Sequence, residues 1–187
     1  MWKVANDDNG DFYLNDLEQA GVDYHRQLQR EQGTTGKCLV MITPDAERSM
    51  NTYLGISETV STRELSSDAI GASQYAYMEG YLVTSPTGKA AAIEMREQAE
   101  SKGVKTAISL SDPAMVEFFR DGLIDMIGTQ VDLLFCNKDE ALGFTQTDNI
   151  EAASEKLKTY ARQFAITLGA QGALVFDGQK MISIAPH

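Results

Sequence analysis

Long apolar runs are missing from this 187-residue sequence. A helix needs about 20 consecutive apolar residues to cross a bilayer, and no stretch approaches that length. The first residues, Met1 to Gly10, are polar and acidic, whereas a signal peptide starts with positive charge and continues into an apolar segment. We therefore expect a cytoplasmic protein with no membrane partner. Hydrophobic residues make up 43% of the sequence, which is ordinary for a globular core.

Cysteine is also scarce. The two cysteines, Cys38 and Cys136, lie far apart in the apolar runs CLVMI and LLFC. Neither belongs to a CxxC pair or to a cysteine–histidine spacing of the kind that binds zinc. We predict that both are reduced core residues without a disulfide or a zinc role.

Positively charged residues are fewer than negatively charged ones. Only 16 lysines and arginines stand against 27 aspartates and glutamates, which gives a net charge of −11. Such a field repels nucleic acid and anionic membranes, so neither is an expected partner. A single nucleotide remains compatible with this charge, provided that backbone N–H groups, helix N-termini, Mg²⁺ and a few placed cations hold it.

The commonest catalytic motifs are absent. The sequence has no GxxxxGK[ST] phosphate loop and no GxGxxG at a predicted strand end. It has no GxSxG nucleophile elbow, and its two histidines, His25 and His187, lie outside the predicted strand ends. These absences argue against the simplest nucleotide-binding loops and against a Ser-His-Asp hydrolase.

The first third of the sequence predicts a helix and a strand pair. Apolar residues at near-helical spacing in Asp11–Ala20, followed by Gly21, predict a helix that ends at the glycine. Two β-prone runs, Lys37–Thr43 and Glu47–Gly55, flank turn residues 44–46. This arrangement is typical of a hairpin.

From Tyr75 onward, short apolar strands alternate with amphipathic helices. This alternation predicts an α/β fold whose parallel sheet is covered on both faces. Ligands of such sheets collect beyond the carboxyl ends of the strands. A site is therefore expected at four strand ends: Leu82–Pro86, Ser109–Pro113, Cys136–Glu140 and Thr167–Gly172.

Asn137 and Glu140 follow the apolar run VDLLFC and are three residues apart, so they share a face in the first turn of a helix. An amide and a carboxylate there could hold hydrated Mg²⁺ and its phosphates, because Mg²⁺ keeps several of its waters. The same pair is also a helix-start pattern with Asn137 as the N-cap. Spacing alone favours the helix-start interpretation.

Three weaker signals accompany this pair. The glycines of Thr167–Gly172 either let a phosphate or ribose approach the backbone or simply connect two strands. Arg48, near the hairpin turn, either clamps a phosphate or remains solvated. Tyr81 either offers a flat face to a base or sugar or packs in the core as a strand tyrosine.

Taken in order, these segments resemble the PfkB family of carbohydrate and nucleoside kinases, and within it the adenosine-kinase-like branch. KVANDDNGDFYLNDLEQAGVDY is similar to the family's segment before the lid, and TTGKCLVMITPDAERSMNTYLG to its lid strand pair. YMEGYLVTSP resembles the aromatic segment of adenosine kinases, VDLLFCNKDEA the Asn-x-x-Glu element, and ITLGAQGALVFDG the Thr-x-Gly nucleotide segment. The likeness covers essentially the whole chain.

The resemblance implies a fold and an activity. The fold is a Rossmann-like, ribokinase-type three-layer α/β sandwich with a mostly parallel sheet and a small β lid at about residues 33–55. Residues 1–187 would form one partial kinase domain. The activity is transfer of the γ-phosphoryl group of ATP, with Mg²⁺, to a hydroxyl of a sugar or nucleoside such as adenosine or ribose.

The resemblance also implies roles for individual residues. Asn137 and Glu140 would organise Mg²⁺ through water, and Arg48 would move in with the lid to neutralise phosphate charge. The remaining implied contacts are Thr167, Gly169 and Gly172 for the nucleotide, and Thr35, Cys38 and Tyr81 for the phosphate acceptor.

Two elements of the family pattern are not found in these 187 residues: an N-terminal diglycine substrate element, and the Asp-Thr-x-Gly-Ala-Gly-Asp motif that supplies the catalytic base. We therefore expect a truncated fold with uncovered sheet edges and apolar faces, which favours a homodimer or instability. We also expect negligible phosphoryl transfer, because losing a general base commonly costs about 10²–10⁴-fold. The alternative function is a noncatalytic nucleotide- or nucleoside-binding module, or half of an assembly.

Overall fold

A computed structural model describes residues 3–24, 29–44 and 48–186. Most of the predicted hairpin turn, and both His25 and His187, lie outside the described residues. The chain divides into two units, Met1–Ser66 and Ser67–His187, and each contains its own sheet. None of the helices in the described ranges is long and apolar enough to cross a membrane.

The first unit contains one helix and a two-stranded antiparallel ribbon. Its elements are α1 Asp8–Gln19, β1 Lys37–Ile42 and β2 Arg48–Tyr53, then the short 3₁₀ helices Gly55–Thr59 and Thr62–Glu64. The helix predicted over Asp11–Ala20 exists but begins earlier, because the side chain of Asp7 accepts a hydrogen bond from the Gly10 N–H and caps it. Gly21 follows the helix with a φ of +69°, the left-handed conformation that commonly ends helices.

The ribbon is exposed along its whole length. Lys37 pairs with Tyr53 and Ile42 with Arg48, as the hairpin pattern predicted, and every residue of both strands is exposed. Cys38 is therefore exposed, and the prediction that it is a core residue is wrong. An apolar run does not mark a buried strand in a ribbon whose two faces both meet solvent.

The second unit is built on a six-stranded sheet in which strand order follows chain order. The strands β3 to β6 are parallel to one another, whereas β7 and β8 are antiparallel to their neighbours. The elements are α2 Ser67–Gly71, β3 Tyr75–Glu79, α3 Pro86–Ser101, β4 Lys105–Ser109, α4 Pro113–Ile127, β5 Val131–Asn137, α5 Lys138–Thr145, α6 Ile150–Leu157, β6 Ala161–Thr167, β7 Ala173–Phe176 and β8 Met181–Ile184.

Helices cover one face of this sheet and form the core with it. Met78, Ile108, Leu134 and Phe164 point from successive strands to that face and are fully buried. The helix α3 packs on β3 and β4, and α5 packs on β5 and β6. Burying each such side chain contributes about 1.5–3 kcal/mol, so this layer supplies most of the unit's hydrophobic stabilisation. Cys136 is buried, as its apolar run predicted.

The opposite face of the sheet is open. Tyr77 and Phe135 lie on it and are 48% and 40% exposed. Crossovers between parallel strands are right-handed as a rule, and successive right-handed crossovers in one direction place every helix on the same face. The prediction of helices on both faces is therefore wrong for the described residues, whereas the mostly parallel sheet is confirmed.

The strand β3 ends at Glu79 instead of continuing through the apolar residues that follow. Residues Gly80–Thr84 form a 3₁₀ helix. A Cβ at the first of these positions would lie 2.7 Å from the carbonyl oxygen of Leu110, so the chain turns against the end of β4 only with glycine there. Tyr81 consequently belongs to the 3₁₀ helix, and its expected place in a strand is wrong.

The turn between β6 and β7 contains two glycines with different constraints. Gly169 has a φ of +58°, and a Cβ at this position would meet nothing within 4 Å. Gly172 has a φ of +87°, and a Cβ there would lie 2.0 Å from the carbonyl oxygen of Ile184 in β8. Packing therefore requires the second glycine, whereas only backbone conformation favours the first.

We expect Gly169→Ala to lower the free energy of unfolding by about 1–2 kcal/mol, the cost of a left-handed residue with a Cβ. Gly172→Ala should lower it by more, because β8 must also move to relieve the clash. Urea denaturation followed by circular dichroism compares the two variants. Equal losses would contradict the packing role of Gly172.

Candidate functional site

The carboxyl ends of β5 and β6 bring two predicted site residues together. Asn137 ends β5 and Thr167 ends β6, and the two residues are register partners on adjacent parallel strands. Glu140 follows in the first turn of α5, and Gly169 opens the 3₁₀ turn after β6. The structure therefore places the predicted Mg²⁺ pair beside the predicted nucleotide turn, while the roles of these residues stay predictions.

Asn137 and Glu140 form a reciprocal capping box at the start of α5. The backbone N–H of Asn137 donates to Oε2 of Glu140 at 2.9 Å, and its Nδ2 donates to Oε1 at 2.7 Å. The N–H of Glu140 donates in return to Oδ1 of Asn137 at 2.8 Å. The helix-start interpretation is thus the arrangement seen, and it fixes the carboxylate of Glu140 at the edge of the sheet.

The carboxylate of Glu140 lies in surroundings that disfavour negative charge. The residue is only 5% exposed, and this burial raises the pKa of its carboxyl, as do the neighbouring carboxylates of Asp112 and Asp139. The hydrogen bond from the Asn137 backbone opposes the rise without cancelling it. A cation bound here would relieve both the repulsion and the desolvation.

Hydrated Mg²⁺ fits this arrangement better than a directly enclosed metal ion. The described ranges contain no group of three or more histidine, cysteine, aspartate or glutamate side chains able to hold a metal. Both carboxylate oxygens of Glu140 already accept hydrogen bonds from Asn137. Because Mg²⁺ keeps several waters and needs few protein ligands, Glu140 would reach it through water.

Two residues just after β4 lie within the strand end Ser109–Pro113, at which a site was expected, but neither was singled out as a site residue. Asp112 caps the N-terminus of α4 and contributes to the field at Glu140. Ser111 has a φ of +72°, and its hydroxyl accepts from the Gly80 N–H at 2.7 Å and donates to Glu79 at 2.9 Å. Only Asp112 had a sequence signal, since aspartate before Pro113 is typical of a helix start.

The predicted nucleotide turn leaves two of its three residues accessible. Thr167 and Gly169 are both exposed, and within the described chain the Thr167 hydroxyl makes no hydrogen bond. Gly172, in contrast, is explained by its close approach to Ile184. Thr167 and Gly169 are therefore free to meet a ligand, while Gly172 shapes the turn that presents them.

Tyr81 lies in the 3₁₀ helix that follows β3, and its side chain is partly exposed. The residue is 43% exposed, and its hydroxyl donates to the carbonyl oxygen of Ser111 at 3.4 Å. This bond orients the ring while leaving part of its surface accessible. A contact with a base or sugar stays a prediction.

The other three predicted site residues belong to the first unit. Arg48 is exposed at the start of β2. Cys38 is exposed on β1, and its Sγ accepts a hydrogen bond from the Thr52 hydroxyl at 3.3 Å. Thr35 differs from both because it is buried, at 6% exposure. Their roles toward phosphate and acceptor stay predictions.

The polar groups of Thr35 are already engaged within the first unit. Its N–H donates to Oδ2 of Asp7 at 2.9 Å, and its hydroxyl makes a short hydrogen bond to Oδ1 of the same carboxylate. The hydroxyl also accepts from the Ala5 N–H at 3.0 Å. A contact between Thr35 and a phosphate acceptor would compete with these bonds.

Thr35 lies at the base of the ribbon, where the segment that enters β1 contacts the segment that leaves β2. A Cβ at Gly36 would lie 2.7 Å from the carbonyl oxygen of Leu54, and one at Gly55 would lie 2.2 Å from that of Thr34. Glycine at these two positions lets the two chain segments at the base of the ribbon come into contact. Asp7, which caps α1 and binds Thr35, therefore anchors the ribbon to the helix.

The mostly parallel sheet, the separate two-stranded ribbon and the order of the candidate residues along the chain are those of a ribokinase-type kinase fold. The model of the pfkB family carbohydrate kinases matches residues 1–187, and the chain belongs to this family. Its structure superposes on the crystal structure of adenosine kinase from Sinorhizobium meliloti with a TM-score of 0.93 and 30% identity, covering 100% of this chain and 57% of that one. This neighbour confirms the predicted ribokinase-type α/β fold with its mostly parallel sheet, of which the described residues form one helical layer and the sheet, and it supports the adenosine-kinase-like branch.

Two curated relatives with similar sequences are also kinases. An adenosine kinase from Schizophyllum commune is 29% identical over 167 residues, which are 87% of this chain and 47% of the relative. A ribokinase from Mus musculus is 26% identical over 181 residues, or 94% of this chain and 53% of the relative. The chain thus spans about half the length of the curated relatives it matches.

The hydrogen bonds that the Asp7 carboxylate accepts from Gly10 and Thr35 lead to a prediction for stability in acid. Hydrogen bonds from the side chain and then the backbone of Thr35 lower the pKa of Asp7 from 3.8 to about 2. A carboxyl with a lowered folded-state pKa stabilises the fold above its ordinary pKa, and this contribution disappears as the pH falls toward the folded-state value. The stabilisation should therefore fade between about pH 4 and pH 2.

We expect Asp7→Asn to be less stable than the wild type at pH 7, because asparagine can cap α1 but offers one acceptor oxygen fewer to Thr35. The difference should shrink as the pH falls below about 4. Urea denaturation at a series of pH values measures it, with Asp8→Asn, an exposed neighbour in the first turn of α1, as the matched control. A constant difference between Asp7→Asn and the wild type would contradict the role of the charge.

Proposed function

We propose that this chain is the nucleotide-binding part of a kinase that transfers the γ-phosphoryl group of ATP to a hydroxyl of adenosine or a related nucleoside or sugar. The observation that carries the proposal is the placement of Asn137 and Glu140 beside Thr167 and Gly169 on neighbouring strand ends. Family membership supports it, as do relatives that are an adenosine kinase and a ribokinase.

A cation is needed if this edge of the sheet is to hold ATP. The chain carries a net charge of −11, and the buried carboxylate of Glu140 would repel the phosphates. Bound Mg²⁺ would supply the positive charge that joins phosphates to carboxylate. Asn137 holds Glu140 in place through its amide, and the exposed Thr167 hydroxyl and Gly169 backbone offer polar contacts to the nucleotide.

The acceptor and lid contacts are a second part of the proposal. The partly exposed ring of Tyr81 offers a flat apolar surface for a base or sugar. The exposed guanidinium of Arg48 can pair bidentately with a phosphate. Cys38 and Thr35 complete the proposed acceptor set, with Thr35 acting mainly through its bonds to Asp7.

One observation favours nucleotide binding without transfer for this chain alone. A general base must accept the proton of the attacking hydroxyl, but both oxygens of Glu140 are engaged by Asn137. Glu140 therefore suits metal organisation better than proton abstraction. A noncatalytic module, or half of an assembly, is the second candidate function.

We expect Mg-ATP to bind the purified chain, and Glu140→Gln to abolish the Mg²⁺-dependent part of the affinity. The glutamine preserves an acceptor for Asn137 but removes the charge that a cation needs. Isothermal titration calorimetry with and without Mg²⁺ measures the difference. Glu151→Gln, which changes an exposed first-turn glutamate of α6, is the matched control.

The pH dependence sharpens this experiment. Because burial raises the pKa of Glu140 above 4.5, protonation should weaken Mg-ATP binding at a higher pH than for an ordinary glutamate. The affinity of Glu140→Gln for Mg-ATP, measured over the same pH range, should not show this decrease. Mg²⁺-dependent binding that is unchanged in Glu140→Gln would refute the proposed metal role.

We expect the isolated chain to show negligible phosphoryl transfer from Mg-ATP to adenosine or ribose. A coupled assay for ADP measures the rate, with the variant Glu140→Gln as the background control. Turnover in the range of about 1–100 s⁻¹ that is typical of kinases would show that a catalytic base is present in these 187 residues.

A further inference from the structure

The amino ends of β4, β5 and β6 border a groove at the edge of the sheet opposite the candidate site. We call it the amino-edge groove. Its volume is about 570 Å³, which is within the range of small-molecule sites. Strands advance about 3.3 Å per residue, so Val131 at the start of β5 lies about 20 Å from Asn137 at its end. This separation makes the groove distinct from the candidate nucleotide site.

The amino-edge groove concentrates positive charge in an acidic chain. Three of the 16 lysines and arginines line it, namely Lys105, Lys158 and Arg162. Among the described residues, Asp132 is the one acidic residue in its lining. Because the chain as a whole carries a net charge of −11, this local excess of cations contrasts with the rest of the molecule. It favours an anion as the ligand.

Aromatic rings hold both lysines of the groove without neutralising them. The Nζ atom of Lys105 lies 5.4 Å from the centre of the Tyr75 ring, and that of Lys158 lies 5.0 Å from the centre of the Phe176 ring. The face of a ring attracts an ammonium group through its quadrupole but carries no net charge. The rings therefore position the two lysines and leave their charges intact.

Asp132 positions Arg162 and leaves part of its guanidinium accessible. The Nε atom of Arg162 lies 3.5 Å from Oδ1 of Asp132. Oδ2 of the same carboxylate accepts from the N–H of buried Thr106 at 2.8 Å, which ties it to the start of β4. The arginine side chain is exposed, and its two terminal nitrogens donate to no group in the described chain. A guanidinium presents such nitrogens as the planar donor pair that fits a phosphate.

The other carboxylates nearby leave Lys105 unpaired. Glu155, which is outside the groove lining, pairs with Lys158. Glu100, which borders an adjoining hollow, is bound by Arg96. Lys105 forms no ion pair with any residue in the ranges that the structure covers. An anion in the groove would therefore meet one unpaired ammonium group and two cations that are shared with carboxylates.

We propose that the amino-edge groove binds a small anion with two linked phosphate groups. Such an anion carries enough charge to contact Lys105, Lys158 and Arg162 together, whereas a single carboxylate does not. The anion is either free pyrophosphate or the phosphate tail of a nucleotide. Binding requires neither Mg²⁺ nor Glu140, so the failure of this proposal and that of the proposed ATP site are distinguishable.

Isothermal titration calorimetry with inorganic pyrophosphate, in buffer without Mg²⁺, tests the proposal. One-to-one binding that weakens as sodium chloride is raised is expected. Lys105→Gln and Arg162→Gln should each lower the affinity by about tenfold or more, the usual effect of losing a charged hydrogen bond. Lys156→Gln is the matched control, because Lys156 is exposed on α6 and lies outside the groove lining. Circular dichroism establishes that each variant is folded, and Lys105→Gln alone decides if Arg162→Gln is not.

Asp132→Asn should change the affinity in the opposite direction. The asparagine keeps an oxygen for the Thr106 N–H but removes the one negative charge from the groove lining. Pyrophosphate should therefore bind more tightly to this variant than to the wild type. A lower affinity would contradict the electrostatic basis of the proposal.

A titration with ADP, also without Mg²⁺, distinguishes the two sources of the phosphates. Pyrophosphate should bind at least as tightly as ADP, because the charged groups of the groove recognise phosphate. Binding of ADP without binding of pyrophosphate would overturn the proposal, since a nucleoside would then be the recognised group.

Three further results would overturn the proposal. The first is no binding of pyrophosphate to the folded wild-type chain. The second is an equal loss of affinity in Lys156→Gln and Lys105→Gln, which would indicate nonspecific attraction to surface charge. The third is a comparable loss in Glu140→Gln, which would place the anion at the candidate nucleotide site.

Discussion

The handedness of the connections between parallel strands governs the organisation of the second unit. Strands β3 to β6 follow one another in chain order, and right-handed crossovers then place all intervening helices on one face. Because these strands are parallel, their carboxyl ends lie at one edge of the sheet. Parallel strands in chain order thus produce the edge with the candidate site, and the handedness of their connections produces the buried core and the uncovered apolar face.

The structural and functional interpretations of Asn137 and Glu140 are not alternatives. The hydrogen bonds that begin α5 are those that hold the Glu140 carboxylate at the edge of the sheet. A helix start is a rigid support, so a carboxylate fixed there would be preorganised to face the hydrated cation that we propose. The helix start was recognisable in the sequence because Asn-x-x-Glu is the spacing of a capping box.

The sequence was most informative where a pattern depends on local spacing. Alternation of strands and helices predicted the parallel sheet, and the ends of β5 and β6 contained the predicted residues. Exposure was harder to predict, because the apolar run around Cys38 lies in an isolated ribbon. The uncovered sheet face followed from strand order, which local periodicity does not encode. The place of Ser111 was unreadable because its φ of +72° depends on bonds to distant Gly80 and Glu79.

Charge links the candidate site to the rest of the chain. Glu140 is buried near two other carboxylates in a chain with a net charge of −11, so a cation bound at this edge of the sheet would relieve the repulsion. In the first unit, donors from Thr35 already stabilise the ionised form of Asp7 and lower its pKa to about 2. The two carboxylates thus have opposite shifts in pKa. This contrast supports the proposal that Asp7 has a structural role and that Glu140 takes part in ligand binding.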